Sequence, residues 1–196
     1  MTTWFTADLH LGHANIIDYC DRPFRDVAEM NAELVRRWNQ VVSPTDLVWV
    51  VGDVAMGRVE ENLELVGQLA GHKRLVCGNH DRCWSNRKGW ETWADRYRSA
   101  GFEEIFNEPV PLHLGRHPVL VSHFPYRGDS HAEDRFVDAR PVDRGMWLLH
   151  GHVHGSWRTK DHIINVGVDV WDYAPVNAAT LTSILQSPAK GAEAAQ

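Results

Sequence analysis

Side chains that commonly bind metal ions follow short apolar stretches in several well-separated parts of the chain. Aspartate, asparagine and histidine supply carboxylate, amide and imidazole groups, which are suitable ligands for divalent ions. The residues concerned are Asp8, His10, Asp53, Asn79, His80, His123, His152 and His154. One intervening residue separates Asp8 from His10 and His152 from His154. On an extended backbone both members of such a pair point to the same face, so each pair is expected to hold one ion.

Buried strands are predicted to position these side chains. Apolar runs at Trp4 to Ala7, Leu47 to Val51 and Lys73 to Cys77 are typical of such strands. Apolar residues at steps of three and four predict a helix over residues 27–41 and a second over 63–69. Alternating strands and helices favour an α/β layer arrangement, in which ligands lie beyond the carboxyl ends of the strands. Glycines adjoin several metal-ligand residues, as expected where the chain turns tightly: Gly52, Gly78 and Gly151.

The second half of the chain is predicted to be richer in strands. Expected strands cover Val110 to Leu114, Val119 to Ser122, Trp147 to His150, Ile163 to Val166 and Leu181 to Leu185. The polar stretch from Arg127 to Arg144 is expected to be a long surface loop that could border a site. No linker or internal repeat is found, so residues 1–185 are predicted to form a single domain. Residues 186–196 lack core-forming side chains and are predicted to be a disordered tail.

Composition restricts the class of protein. The net charge of −6 argues against a surface that binds nucleic acid through many Lys and Arg contacts, and leaves nucleic acid possible only as a substrate held locally. We expect no membrane partner, because the N-terminus lacks signal-peptide features and no apolar run approaches the roughly 20 residues of a membrane-spanning helix. Three cysteines in dissimilar segments predict neither a disulfide framework nor a zinc ribbon, and favour a cytoplasmic location.

Five short motifs, in this order, resemble those of the calcineurin-like metallophosphoesterases. They are Asp8-Leu-His10, Gly52-Asp53, Gly78-Asn79-His80-Asp81, Ser122-His123 and Gly151-His152-Val153-His154. A single Gly-Asp or Gly-His pair is weak support, whereas five motifs in order are strong support. The stretch from Ala7 to Phe24 and the short chain are similar to the small bacterial or phage phosphoesterases.

The resemblance implies a fold, a ligand set and a reaction. The fold is a four-layer α/β/β/α sandwich with two mixed sheets flanked by helices. The implied ligands of one ion are Asp8, His10 and His154, those of the other are Asn79, His123 and His152, and Asp53 bridges the two ions. The ligand chemistry suits manganese, iron, zinc or similar ions. Manganese is the leading expectation, with iron, zinc, nickel, cobalt or magnesium as alternatives. A hydroxide bridging the two ions would attack the phosphate ester.

His80 is implied to act on the leaving oxygen, by donating either a proton or a strong hydrogen bond. Many relatives carry a carboxylate three residues after the bridging aspartate, where it holds this histidine. Here that position is Met56. Either Asp81 holds His80 instead, or no carboxylate does.

Substrate contacts are expected from residues near the ligand motifs. His13 and Asn15 follow the first pair of ligands, and Arg127 follows His123 closely enough to offer a guanidinium to phosphate. Arg22 and Arg58 are further candidates to supply a guanidinium, but Arg127 is favoured and solvation at the surface is the ordinary alternative. For His150 the alternatives are packing or support of a ligand, and for Asp169 they are support of a ligand or a turn.

The expected function is hydrolysis of a phosphomonoester or phosphodiester, in a nucleotide or another small phosphate compound. Two alternatives stay open at this point. One is a nuclease that acts on nucleic-acid ends, which the acidic balance disfavours. The other is a non-catalytic binding module on the same fold, which the complete ligand set disfavours.

Overall fold

Two five-stranded sheets form the centre of residues 1–186, the part of the chain that the computed structural model describes. The strands are β1 Thr3–Thr6, β2 Leu47–Val50, β3 His72–Val76, β4 Phe102–Phe106, β5 Val110–Leu114, β6 His117–Val121, β7 Trp147–His150, β8 Thr159–Lys160, β9 Ile163–Asn165 and β10 Val176–Asn177. The first sheet has the order β10-β1-β2-β3-β4, with β1 to β4 parallel and β10 antiparallel to β1. The second has the order β5-β6-β7-β9-β8, with β6, β7 and β9 parallel and both outer strands antiparallel. Both sheets are mixed, as predicted.

Helices connect and flank the strands. They are α1 Asn15–Tyr19, α2 Val27–Val41, α3 Val59–Leu63, α4 Trp90–Ala100 and α5 Ala178–Gln186, and short 3-10 helices cover Glu64–Gln68, Val137–Ala139 and Val168–Val170. Helix α2 has the predicted bounds and buries Met30, Leu34 and Trp38 in one stripe. The carboxylate of Asp26 accepts a hydrogen bond from the backbone N–H of Glu29 at 2.9 Å and so caps its first turn.

Two buried apolar clusters hold the layers together. Between the sheets, Phe5, Trp49 and Val76 of the first sheet belong to the same cluster as Val119 and Leu149 of the second. The other cluster lies on the opposite face of the first sheet and includes the apolar stripe of α2. The predicted architecture of two mixed sheets with flanking helices is therefore confirmed.

Three sequence-based predictions about individual elements need correction. The stretch Leu181 to Leu185 is part of helix α5 and not a strand, because Leu181 and Leu185 share one buried helical face. The side chain of Asn177 caps this helix by accepting from the N–H of Thr180 at 2.8 Å. Strand β4 was not predicted, since it lies at a sheet edge and exposes Glu103 and Glu104. The predicted helix over residues 63–69 coincides with the 3-10 helix Glu64–Gln68, which directly follows α3.

The end of the chain bears on two further predictions. Helix α5 extends through Gln186, the first residue of the predicted tail, and the rest of that tail lies outside the described residues. Within residues 1–186, no helix combines the length and the apolarity that crossing a membrane requires.

Candidate metal centre

The loops that follow β1, β2, β3, β6 and β7 bring the predicted ligands together. Asp8 and His10 follow β1, Asp53 follows β2, Asn79 follows β3, His123 follows β6, and His152 and His154 follow β7. All of them except the half-buried His154 are at most 4% exposed. A single site at the carboxyl ends of the strands, as the sequence predicts, thus collects side chains from both sheets.

The backbone at most of these residues is left-handed, which corrects the expectation of an extended chain. The φ angles are +56° at Asp8, +52° at His10, +56° at Asp53, +71° at His152 and +46° at His154. Non-glycine residues seldom adopt this conformation, and each instance costs on the order of 1–3 kcal/mol. The paired side chains meet because of tight turns beyond the strands and not because they share a strand face.

The neighbouring glycines are needed for close approach. A Cβ atom at Gly52 would overlap the ring of His123, and φ there is +88°. A Cβ atom at Gly151 would lie 2.8 Å from Oδ2 of Asp8. The strand, glycine, ligand pattern in the sequence therefore reflects backbone packed directly against candidate ligands.

Asp8, His10 and His154, called the first group below, converge on one point. Their potential ligand atoms all lie within 4.8 Å of one another. The Nε2 atoms of His10 and His154 are 3.1 Å apart. The backbone N–H of His152 donates to both carboxylate oxygens of Asp8, at 3.1 and 3.0 Å.

Asn79, His123 and His152, called the second group, converge on the amide oxygen of Asn79. This Oδ1 atom lies 3.1 Å from Nε2 of His123 and 3.0 Å from Nδ1 of His152. The other ring nitrogen of His123 is 2.9 Å from the carbonyl oxygen of Val51. A carbonyl oxygen can only accept, so Nδ1 of His123 carries the proton and its Nε2 presents a lone pair to Asn79.

Asp53 lies between the two groups. Its Oδ2 atom is 3.7 Å from Nε2 of His10 and 3.5 Å from Nε2 of His123. Its Oδ1 atom accepts the backbone N–H of His80 at 2.8 Å. One carboxylate oxygen therefore faces a histidine of each group, the position that a bridging ligand requires.

The electrostatics of the site fit divalent cations. Burial raises the pKa of Asp8 to about 8, and burial together with Asp81 raises the pKa of Asp53 well above its usual value. Burial, followed by the neighbouring His154, lowers the pKa of His10. Among the described residues, Nδ1 of His10 has no hydrogen-bond partner. Bound cations would favour the ionised carboxylates and neutral imidazoles that this donor set needs.

His80 lies at the accessible side of this cluster. Its side chain is 36% exposed, and its Nε2 atom is 4.0 Å from Oδ2 of Asp53. The ring packs edge-on against His10 with the centroids 5.5 Å apart. Burial, with smaller effects from His123 and Arg87, lowers the pKa of His80 to about 4.

Asp81 does not hold His80, which answers the question left by Met56. Its carboxylate accepts the backbone N–H groups of Gly78, Asp53 and Val54 at 2.8 to 3.0 Å. The hydroxyl of Tyr97 donates to the same carboxylate at 3.2 Å. Asp81 thus joins the turns that carry Asp53 and Asn79, and the carboxylate nearest to the His80 ring is Asp53.

Arg22 and Asp169 form a buried ion pair behind the first group. The guanidinium donates to both oxygens of Asp169 at 2.8 and 3.0 Å and to the carbonyl oxygens of Asp8 and Leu9 at 2.8 and 3.1 Å. Arg22 is only 3% exposed, so it is neither a surface residue nor a phosphate ligand. Asp169, within the 3-10 helix Val168–Val170, holds this arginine and so supports the first group from behind.

The expected substrate contacts are placed unequally. The half-buried ring of His13 lies 5.4 Å from that of His10, whereas Asn15 is exposed at the start of α1. Arg127 forms ion pairs with Asp143 and Asp161 at the surface. The structure therefore places His13 beside the cluster and directs Arg127 toward other carboxylates.

Two other residues weighed in the sequence are also placed. Arg58 is exposed and pairs with Glu61, as solvation predicts. His150 is fully buried, and its Nδ1 lies 2.7 Å from the carbonyl oxygen of Gly151. This contact supports the turn that leads to His152.

Several supporting residues were missed by the sequence analysis. The side chain of Asn165 donates to the carbonyl oxygen of His154 at 2.6 Å, and Nε of Arg87 donates to that of Asn79 at 3.1 Å. Oδ2 of Asp129 lies 2.9 Å from Nε2 of His152. Burial alone would raise the pKa of Asp129, but hydrogen bonds from Arg135 and His152 hold it below its usual value. These contacts join distant parts of the chain, and no short spacing in the sequence marks them.

The chain is similar to several known proteins. Residues 1–156 match the family model described as calcineurin-like phosphoesterase. The Gene 66 protein of Mycobacterium phage L5 is 37% identical over 182 residues, which cover 86% of this chain and 87% of the phage protein. An uncharacterized protein of Methanocaldococcus jannaschii is 28% identical, over 93% of this chain and 90% of its own. A crystal structure of a protein of unknown function from Aquifex aeolicus is similar with a TM-score of 0.70 and 25% identity, over 93% of this chain and 98% of that one.

Proposed function

Because the chain belongs to the calcineurin-like phosphoesterase family, we propose that it hydrolyses a phosphomonoester or phosphodiester by using two divalent ions. The substrate class that we propose is a nucleotide or another small phosphate compound. One observation carries the proposal, namely that Oδ2 of Asp53 faces ring nitrogens of His10 and His123 at 3.7 and 3.5 Å. This arrangement supports a ligand that two ions would share.

The first group would hold one ion, the second group the other, and Asp53 both. Manganese is the leading candidate, and iron, zinc, nickel, cobalt and magnesium are alternatives, because the donors are carboxylate, imidazole and amide oxygen without thiolate. When bound, two divalent ions supply positive charge to the phosphoryl oxygens and lower the pKa of a water molecule toward neutrality.

The protein's own residues would orient the substrate and assist its leaving group. The exposed edge of His80 and the half-buried His154 and His13 leave the site open on one side. A substrate that enters there would lie within reach of His80. The low pKa of His80 keeps its ring neutral near pH 7 before substrate binds, so we infer that it donates a hydrogen bond to the leaving oxygen.

The assay that tests this function measures hydrolysis of p-nitrophenyl phosphate and bis(p-nitrophenyl) phosphate by protein stripped with chelator and reloaded with manganese. We expect activity that depends on the added ion and is lost in Asp53→Asn. Asp95→Asn, which changes an exposed helical carboxylate, is the matched control and should retain full activity. Failure of every common divalent ion to support hydrolysis would contradict the proposal and favour a non-catalytic binding module.

The relative rates on the two aryl compounds define the preference for monoesters or diesters. A wider panel of nucleotides, cyclic nucleotides, dinucleotides and short oligonucleotides then tests the substrate class. Preference for oligonucleotides, with activity that falls steeply as salt rises, would support the nuclease alternative instead.

Two broader assignments also remain proposals. We assign residues 1–185 to one domain, a view supported by the contribution of both sheets to a single site. We place the protein in the cytoplasm because Cys20, Cys77 and Cys83 are all free thiols, as a reducing compartment favours.

A further inference from the structure

A buried contact links the segment after β6 to one of the candidate ligands. Oδ2 of Asp129 lies 2.9 Å from Nε2 of His152, and the side chains of these residues are 0% and 2% exposed. Asp129 belongs to the long irregular segment that separates β6 from β7. The contact therefore reaches the second group from outside the five motifs that identify the family.

This contact determines which nitrogen of His152 can bind a cation. An ionised carboxylate only accepts hydrogen bonds, so a neutral imidazole beside it carries its proton on Nε2. The lone pair is then on Nδ1, which lies 3.0 Å from Oδ1 of Asn79. With Nε2 of His123 at 3.1 Å from the same oxygen, three acceptor atoms face one another. Such a set is stabilised by a cation and not by hydrogen bonds among its members.

The position of Asp129 is itself fixed by its own segment. Oδ1 accepts from Nη2 of Arg135 at 2.8 Å and from the backbone N–H of His131 at 3.2 Å. Oδ2 accepts the backbone N–H of Arg135 at 3.0 Å, and Arg140 approaches it at 3.4 Å. Contacts other than the one with His152 thus hold the Asp129 carboxylate in place from several directions.

We propose that Asp129 is a positioning residue that keeps the proton of His152 on Nε2 and fixes the angle of its ring, so that Nδ1 is presented to the second ion. The inference rests on the proposed metal centre, and in particular on His152 as a ligand. Histidine ligands in metalloproteins commonly have a carboxylate or carbonyl partner on the second ring nitrogen, and removal of that partner weakens metal binding about 10- to 100-fold.

Metal affinity provides the first test. Manganese is titrated into the full, chelator-stripped chain by calorimetry, for the wild type, Asp129→Asn and Asp143→Asn. We expect the wild type to bind two ions and Asp129→Asn to bind one of them about 10- to 100-fold more weakly, with the other unchanged. Asp143 is the matched control, because its carboxylate lies 2.9 Å from Nε2 of His162 in a partly exposed pair outside both groups. Asp143→Asn should bind both ions as the wild type does.

A second measurement separates positioning from general disturbance of the segment. Long-range ¹H–¹⁵N NMR spectra of the metal-free protein report which ring nitrogen of His152 is protonated. We expect the Nε2–H form in the wild type and a mixture in Asp129→Asn. Arg135→Met removes the main arginine partner of Asp129 but leaves the contact with His152, so it should retain the Nε2–H form and most of the affinity.

The outcomes distinguish the two proposals. Wild-type protein that binds fewer than two ions overturns the metal centre and the role of Asp129 with it. Wild-type protein that binds two ions, with unchanged affinities and an unchanged His152 tautomer in Asp129→Asn, overturns the role of Asp129 alone. Equal losses in Asp129→Asn and Arg135→Met, with an unchanged tautomer in both, also overturn it, because the effect then belongs to the segment as a whole.

Discussion

The two ligand groups are held in place by different parts of their residues. In the first group the hydrogen bonds act on the backbone and on the Asp8 carboxylate. Arg22 donates to the carbonyl oxygen of Asp8 and Asn165 to that of His154. The backbone N–H of His152 donates to the carboxylate of Asp8. In the second group they act on the rings, since His123 and His152 each have a partner on the nitrogen that faces away from Asn79. Hydrogen bonds thus fix the turns of the first group, whereas in the second group they also determine which ring nitrogens of His123 and His152 carry lone pairs.

The difference predicts different behaviour of the two metal sites. A ring whose tautomer and angle are set in advance loses little freedom when an ion binds. In the first group, Nδ1 of His10 lacks a partner within the described residues, so no hydrogen bond fixes this ring from the side that faces away from His154. We expect the second site to be the more preorganised, and the following variants address each group in turn.

Arg22→Met should have the largest effect and should act on the first group. It leaves Asp169, whose side chain is 2% exposed, as a buried carboxylate without its partner. The free energy of unfolding should fall by about 3–5 kcal/mol. Urea denaturation of the chelator-treated protein, followed by circular dichroism, measures this change.

Arg127→Met is the matched control for Arg22→Met. The Arg127 side chain is 51% exposed in its ion pairs, so its loss should cost less than about 1 kcal/mol. The double variant Arg22→Met/Asp169→Leu should recover much of the stability, because no buried charge is then left unpaired. Equal losses in the two single arginine variants would contradict a special role for the buried pair.

Gly52→Ala should disturb the second group. The added methyl group would overlap the His123 ring and lie 2.8 Å from Cα of Gly78, at a backbone φ of +88°. We expect a loss of about 2–4 kcal/mol in the free energy of unfolding, from the sum of backbone strain and overpacking. Gly145→Ala is the control, since φ there is +78° and a Cβ would meet nothing within 4 Å.

The comparison of the two glycine variants isolates the displaced ring. Gly145→Ala should cost only the backbone strain, about 1–2 kcal/mol, and should not affect manganese binding. Gly52→Ala should also weaken one of two bound ions. If both variants lose the same stability and neither loses an ion, His123 does not need the space that Gly52 provides.

His80→Asn should reduce activity without affecting either group. We expect kcat to fall about 10²-fold on p-nitrophenyl phosphate, and by more on an alkyl ester, because a poorer leaving group needs more help from a donor. Manganese binding should be unchanged. His72→Asn, at an exposed histidine paired with Glu103, is the control for general effects. Loss of an ion in His80→Asn would show that this histidine is a ligand.

Most elements of the fold could be predicted from short motifs and from the periodicity of apolar residues. Helix α2 and seven of the ten strands were predicted, because their apolar patterns follow directly from which face is buried. Strand β4 was missed since an edge strand that exposes glutamates lacks that pattern, and the two-residue strands β8 and β10 are too short to show one. The prediction of a strand over Leu181 to Leu185 was wrong although Leu181, Ile184 and Leu185 recur at helical spacing.

The site was predicted only as far as its motifs extend. The residues brought together are those of the five motifs, but the left-handed backbone at Asp8 and His152 was not expected from their spacing. Partners such as Arg22 with Asp169, or Asp129 with His152, are separated by many residues and depend on how the chain folds. A single sequence contains no local signal for such contacts, since many similar pairs would satisfy the same chemistry.

The dependence of the free energy of unfolding on pH should be the smallest of these effects. It should also distinguish the first group, which contains Asp8, from the second. Burial raises the pKa of Asp8 from 3.8 to about 8 in the metal-free protein. Between these values the folded protein keeps a proton on Asp8 that the unfolded chain has released. The free energy of unfolding should therefore fall as pH rises, by at most about 1.4 kcal/mol per pH unit for this group.

The window from about pH 7.5 to pH 8 reports mainly on the carboxylates, because histidines with the ordinary pKa of about 6.5 are mostly neutral there even in the unfolded chain, and burial lowers the pKa of His10, His80, His152 and His154 further in the folded protein. Urea denaturation across this window should show a decline in the metal-free wild type that is smaller in Asp8→Asn, with Asp53 accounting for the remainder. Asn79→Ala should keep the wild-type slope of stability against pH, since the amide of Asn79 does not titrate. Saturating manganese should remove the decline, because an ion favours the ionised carboxylates. Identical slopes in the wild type and Asp8→Asn would mean that the proton released at the first group comes from another residue.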